Sequence, residues 1–300
     1  MSTVSLKISR KRIRMHRPSF SRVMLYIFLC LMVVVCALPL FAMVCRALMP
    51  LDELYLYPPR LIVQKPTLRN FSDLLTSLSS STVPFTRYIF NSLFTTVATV
   101  LASILVCCLG AYGLVKHRPA GSNIIFGIVV AALSFSTHVT TIPNYLVVNK
   151  LGLVNTCWAL IIPKIAVAYN FFLVKQFCEQ LPDSILEAAR IDGANGRQTL
   201  FKVIIPNVMP SIATCTFLTL TNGFKLFDQN LALTGGMPSM LVEGGKINAT
   251  ELLALNIYST YNIGKNYHGV AQAKAVIFFL LVAVLAIIQQ KATSRKEVQQ

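Results

Sequence analysis

The chain has 300 residues, 55% of them hydrophobic and only 13% charged, with a mean hydropathy of +0.63. Soluble domains carry roughly 25% charged residues, so this composition excludes an ordinary water-soluble globule and points to an integral membrane protein. The net charge of +16 would suit a nucleic-acid binder, but the basic residues flank apolar runs, where lipid head groups are the favoured partner and nucleic acid is not.

In chain order, residues 1–22 form a basic tail with Lys7, Arg10, Lys11, Arg12, Arg14, Arg17 and Arg22 and no acid. Residues 23–45 then run without a charge, and about 20 apolar residues suffice to cross a bilayer. That run exceeds a signal-peptide core and lacks a small-residue cleavage site, so cleavage is not expected. An outer segment, 46–87, leads to apolar runs at 88–115 and 119–149, and Pro143 is expected to end or kink the latter. A fourth run, 151–174, is interrupted by Pro163 and Lys164. The fifth, 203–224, is followed by a second outer segment, 225–267, whose Gly235, Gly236, Gly244 and Gly245 permit a reaching, adaptable loop. The sixth, 269–290, carries Lys274 near its outer end, where a lysine can snorkel.

The expected fold is therefore all-α and polytopic, a six-helix domain over 23–290 with tails at 1–22 and 291–300. The density of Lys and Arg puts both tails and the polar segment 175–202 on the cytosolic side. The eight cysteines fall mostly inside apolar runs without metal-ligand spacing and are read as buried free thiols. No metal or other cofactor is expected.

The most informative stretch is 181–212, a polar island between apolar runs. Pro182 pre-sets a first helical turn, Asp183 and Ser184 suit the positive end of a helix dipole, and Ser184 with Glu187 fits a capping box. Ile185, Leu186, Ala188, Ala189 and Ile191 supply an apolar face, and Gly193 and Gly196 permit positive φ before a second short helix. Pro206 and Pro210 mark where that helix meets the membrane. The expected shape is a helix–turn–helix knob on the cytosolic face. Taken alone, the same residues also fit a solvated loop in which Glu187 pairs with Arg190.

Within the island Glu187-Ala188-Ala189, three residues, Gly193, nine residues and Val203-Ile204-Ile205-Pro206 stand in one register. This resembles the EAA signature of binding-protein-dependent ABC importer permeases, with Val203 and Ile205 replacing the usual Ile and Leu. The form Glu187–Ala194 is similar to the carbohydrate branch, which includes the smaller permease subunit of the maltose transporter. Pro66–Phe71, Tyr88–Ser92, Gly110–Leu114, Ile142–Tyr145, Leu151–Thr156 and Asn170–Leu173 resemble that branch too. Phe227–Gly236 and Glu251–Tyr258 look more like the partner permease subfamily, so the chain mixes cues from both halves of the usual heterodimer.

The resemblance implies a type I ABC importer permease fold in a prokaryotic plasma membrane. It also implies a second permease subunit, a cytosolic ATPase dimer, an extracytoplasmic sugar-binding protein and a carbohydrate substrate. Glu187, Ala188, Ala189, Asp192, Gly193 and Pro206 would couple to the ATPase, and the glycines of the second outer segment would lie where the binding protein docks. ATP hydrolysis would reside in the partner, in keeping with a sequence that has no Gly-x-x-x-x-Gly-Lys-Ser/Thr. Polar residues inside the runs, chiefly His138, Asn144 and Asn170, with Ser134, Ser136 and Thr137, are candidates for a sugar path. Two rival functions remain at this stage. One is the same mechanism with peptide or amino-acid cargo. The other is a self-contained secondary transporter, which would call for an inverted repeat; none is visible.

Overall fold

The computed structural model describes residues 20–58, 60–80, 85–242 and 245–294. Most of the basic tail, the last six residues and Gly244 lie outside the described residues. Helix α1 (Phe20–Leu48) is apolar on every face and exposed along most of its length, as a helix that lies against lipid should be. At about 1.5 Å per residue its 29 residues span more than a bilayer core. Its last carbonyls need partners, and the Asn70 amide of α2 (Arg69–Ser80) donates to Ala47 O and Met49 O at 2.8 and 2.9 Å.

Helix α3 (Phe85–Tyr112), prolonged by a π-helical segment (Gly113–His117), is the central element. One of its faces carries small and polar residues that are all buried: Asn91, Ser92, Thr95, Thr96, Thr99 and Ser103. In lipid there is no hydrophobic drive between helices, so small residues that let backbones approach decide the packing. Gly223 shows this directly. A Cβ built on it would lie 2.7 Å from the Thr96 methyl, so only glycine lets the two helices approach this closely.

The third apolar run is not one helix. It divides into α4 (Ser122–Leu133) and α5 (Thr137–Lys150). Twelve residues reach only about 18 Å, short of a bilayer core. The break falls at Ser134–Ser136, before Pro143, which instead lies inside α5. Serine side chains offer the backbone alternative partners, and two of them flank the break. The fourth run starts later than expected, because 151–156 is a turn with Gly152 and Asn155 at positive φ. It comprises α6 (Cys157–Ile165) and α7 (Ala168–Glu179), which together make one span of 23 residues.

The fifth run is also corrected. A 74° bend separates α9 (Gly196–Asn207) from α10 (Met209–Phe224), so residues 203–207 belong to the polar island's second helix and the membrane segment begins at Met209. By length and composition four helices can cross a membrane among the described residues, or five if that bent pair is one span. The expected six is not reached on this measure, because the broken α4–α5 segment falls short. The sixth run is a single helix, α13 (His268–Ser294), against which α1 and α10 pack.

The second outer segment is a small folded layer. It contains α11 (Phe227–Leu233), an antiparallel hairpin of β1 (Ser239–Val242) and β2 (Gly245–Asn248), and α12 (Leu253–Ile263). The buried Asn230 amide donates to Thr234 Oγ1 and Thr250 O at 2.8 and 2.9 Å, while its Oδ1 accepts from Leu252 N at 3.0 Å. Asn91 donates to Ala249 O and Glu251 O, and Ser92 Oγ accepts from Leu253 N. The layer is therefore bolted to α3. Apart from that hairpin, the described architecture is helical.

Candidate functional site

The polar island folds as the spacing predicts, with different end chemistry. Helix α8 (Asp183–Ile191) begins at Asp183, so Ser184 lies inside the first turn and the expected Ser184–Glu187 box does not form the cap. A capping box occurs instead at the second helix. Asn195 Oδ1 accepts from Gln198 N and Gln198 Oε1 from Asn195 N, both at 2.9 Å. The Asn-x-x-Gln spacing is the signal in the sequence that marks this helix start.

Between the helices Gly193 has φ +75°. Ala194 N donates to Ala189 O at 2.9 Å, the six-to-one bond that closes a helix through a left-handed residue. Gly193 thus turns the chain while satisfying carbonyls that α8 would leave open.

The apolar residues of α8 split between two faces. Leu186, at 8% exposure, packs into a buried cluster with Cys107 and Val115 of the α3 rod, Val174 and Cys178 of α7, and Ile204, Val208 and Cys215. Ile191 is 86% exposed and Phe201 also points outward. Glu187, Ala188, Asp192 and Gly193 are exposed, whereas Ala189 and Pro206 are half-buried. One face of the knob is thus continuous with the membrane core, and the other is an open surface on which apolar and acidic groups alternate.

A polar link fixes the knob against the end of the α3 rod. Lys116 Nζ donates to Leu181 O at 2.9 Å and pairs with Asp183 Oδ1 at 2.7 Å. The Lys116 hydrogen bond, then its charge, hold the Asp183 carboxyl below its ordinary range. No sequence signal could have paired two residues so far apart in the chain. Beside this link a cavity of about 400 Å³ lies between Tyr112, Lys116 and Arg118 on the rod and Asp183, Glu187 and Thr199 on the knob. Nearby, Lys175 is buried above the Phe126 ring at 3.6 Å and pairs with Glu179 at 2.6 Å.

The intramembrane candidates are scattered. Asn170 is buried and donates to Ser103 Oγ at 3.3 Å and Thr219 Oγ1 at 2.8 Å, tying α7 to α3 and α10. Its amide hydrogens are committed to helix packing. Asn144 is half-buried and lines a separate cavity with Lys164. Ser134 and Ser136 sit exposed at the α4–α5 break. His138 and Thr137 are on α5, and their side chains lie outside the described residues. On the outer side Gly236 is buried, with φ +85°, and an added Cβ would lie 3.1 Å from the Asn248 Cβ. Gly236 therefore sits in a packed turn, not at a reaching tip, whereas Gly235 beside it, also at positive φ, is exposed. Gly245 opens β2.

With this geometry in hand, residues 103–297 match the family described as "Binding-protein-dependent transport system inner membrane component". The chain belongs to that family. Its members are inner-membrane components of binding-protein-dependent transport systems. The chain is 36% identical over 181 residues to the "Probable starch degradation products transport system permease protein AmyD" of Thermoanaerobacterium thermosulfurigenes, covering 59% of this chain and 57% of that protein. It is 31% identical over 192 residues to the "Polygalacturonan/rhamnogalacturonan transport system permease protein YtcP" of Bacillus subtilis (strain 168), covering 64% of each. The aligned regions thus span less than two thirds of these relatives. The fold resembles a chain in the crystal structure of a bacterial ABC transporter involved in the import of the acidic polysaccharide alginate. The TM-score is 0.73 at 22% identity, covering 92% of this chain and 99% of that one. That likeness establishes the type I importer permease fold.

Proposed function

We propose that this chain is the permease subunit of an ATP-driven carbohydrate importer, forming the translocation path with a second permease and docking a cytosolic ATPase dimer through the α8–α9 knob. The observation that carries the reading is the cluster around Leu186. A rigid displacement of α8 passes through that packed core to α3, α7 and α10 at once, since close-packed interiors transmit strain. The exposed face, with Glu187, Ala188, Asp192 and Ile191, is free to enter a partner's cleft. Ala188 and Ala189 allow close approach there, Gly193 makes the turn, and Pro206 starts the bend into the membrane.

Carbohydrate as cargo, in place of peptide or amino acid, is supported by relatives named for starch degradation products and for polygalacturonan and rhamnogalacturonan. The excess of Lys and Arg on the knob side favours a cytosolic knob and cytosolic termini. The outer layer then faces a soluble sugar-binding protein on the far side of a prokaryotic plasma membrane. We assign that contact to the β1–β2 hairpin of this layer.

The test is pull-down of the ATPase by Glu187→Lys, alongside sugar uptake by the assembled complex. Losing a desolvated interface carboxylate costs about 2–5 kcal/mol, so association should weaken tenfold or more while the second permease still co-purifies. Wild-type ATPase binding and uptake by Glu187→Lys would refute the assignment.

A further inference from the structure

Two helix breaks face one another in the membrane region. One is Ser134–Ser136 between α4 and α5, and the other is Ala166–Val167 between α6 and α7. Non-helical backbone at membrane depth is tolerated where it lines a cavity or is enclosed by protein. A cavity of about 450 Å³ lies here, lined by Thr140, Thr141, Asn144, Pro163, Lys164 and Gln229 among others. Its size falls within the range of roughly 300–1,000 Å³ of small-molecule sites.

Two unsatisfied groups meet at this cavity. Lys164 lies about 10 Å along the α6–α7 span from its first residue, half-buried, with no ion pair or hydrogen bond among the described residues. The contrast with Lys175 and Lys274 is clear. Lys175 pairs with Glu179, and Lys274 donates to Asn256 Oδ1 and Thr260 Oγ1 at 2.8 and 2.7 Å. Gln229 reaches the cavity from α11, and its Oε1 is buried without a hydrogen-bond partner among the described residues. An uncompensated ammonium in an apolar span is costly, and a buried amide acceptor without a donor is costly as well. Both deficits are removed by one ligand that brings an anionic oxygen and a hydroxyl donor.

We propose that this cavity is a saccharide subsite selective for carboxylate-bearing sugars, in which Lys164 meets the carboxylate and Gln229 Oε1 accepts from a ring hydroxyl. Neutral hydroxyls could satisfy Gln229 but leave the Lys164 charge unbalanced, whereas a uronate satisfies both. Asn144 adds an amide to the same wall. This rests on the carbohydrate-importer reading and narrows its cargo to acidic saccharides.

The test compares ATP-dependent uptake of trigalacturonate with that of its fully methyl-esterified form, by the complete transporter in vesicles of zwitterionic lipid. The two probes share their ring hydroxyls and differ in charge. The parent should prefer the acid. Lys164→Met should lower the acid-to-ester uptake ratio at least tenfold, Lys164→Arg should keep most of it, and both complexes should assemble in parental yield. Several results would overturn the proposal. Preference of the parent for the ester, or an unchanged ratio in Lys164→Met, would show that the lysine does not read the carboxylate. A drop in complex yield in Lys164→Met would show that it pairs with the second permease. A preference appearing only when anionic lipid is added would assign it to a head group. Uptake of neutral oligosaccharides without any uronate would overturn this inference alone, whereas failure to take up any saccharide would overturn the carbohydrate reading with it.

Discussion

Gly193→Ala isolates the turn between α8 and α9 from every other property of the knob. At this position φ is +75° and a built Cβ finds no heavy atom within 4 Å. The cost is therefore backbone strain without a clash, roughly 1–2 kcal/mol for a side chain in the left-handed region. That corresponds to a factor of about 5–30 in the ratio of ordered to disordered knob. Relaxing the strain would break the Ala194 N to Ala189 O bond at 2.9 Å. A graded series follows from the same physics. Asn, which tolerates this region, should lie closest to the parent, Ala should be intermediate and the β-branched Val worst. The assay is hydrogen exchange at the Ala194 and Asn195 amides, read with ATPase pull-down by the same variants. If Gly193→Ala matches the parent in both, or Gly193→Asn is as damaging as Gly193→Val, positive φ is not what Gly193 contributes.

Three further outcomes are expected. Leu186→Ala should cost about 2–5 kcal/mol in knob packing, and its signature is ATPase bound normally but hydrolysis uncoupled from uptake; coupled transport at parental efficiency would exclude the Leu186 cluster as the transmission route. Asp183 has its pKa lowered from 3.8 by Lys116, so its link stabilises the knob above that value and is lost as pH falls through the depressed folded value. Exposure keeps the effect small, and the acid-side loss of thermal stability of the purified complex should shrink in Asp183→Asn; an identical pH profile would sink the argument. Deleting Gly236–Gly245 would remove the packed turn at Gly236 as well as β1, so the informative change is to replace Val242 and Gly245 with lysines. Stimulation of ATP hydrolysis by loaded binding protein should fall while assembly persists, and unchanged stimulation would count against hairpin docking. Glu179→Lys is a poor control for these variants, because it would set a second cation against the buried Lys175.

The sequence by itself carried the class and the knob. Charge-free runs long enough for a bilayer declare membrane helices by length alone, and Glu187 to Pro206 declare the knob by spacing, because a turn needs Gly193 wherever the chain sits. It also marked Lys164 and Pro163 as an interruption. What only the tertiary structure decided is where helices stop and which polar groups are already satisfied. The 119–149 run divides at Ser134–Ser136 despite its continuous hydropathy, and the 203–224 run bends by 74° because its first residues pack into the Leu186 cluster, not into lipid. Asn170 and Lys164 look alike in sequence, two polar residues in one apolar run. Ser103 and Thr219, brought near by folding, satisfy the first; no side chain among the described residues does so for the second. Partners distant along the chain are set by packing, and local sequence periodicity carries no record of them.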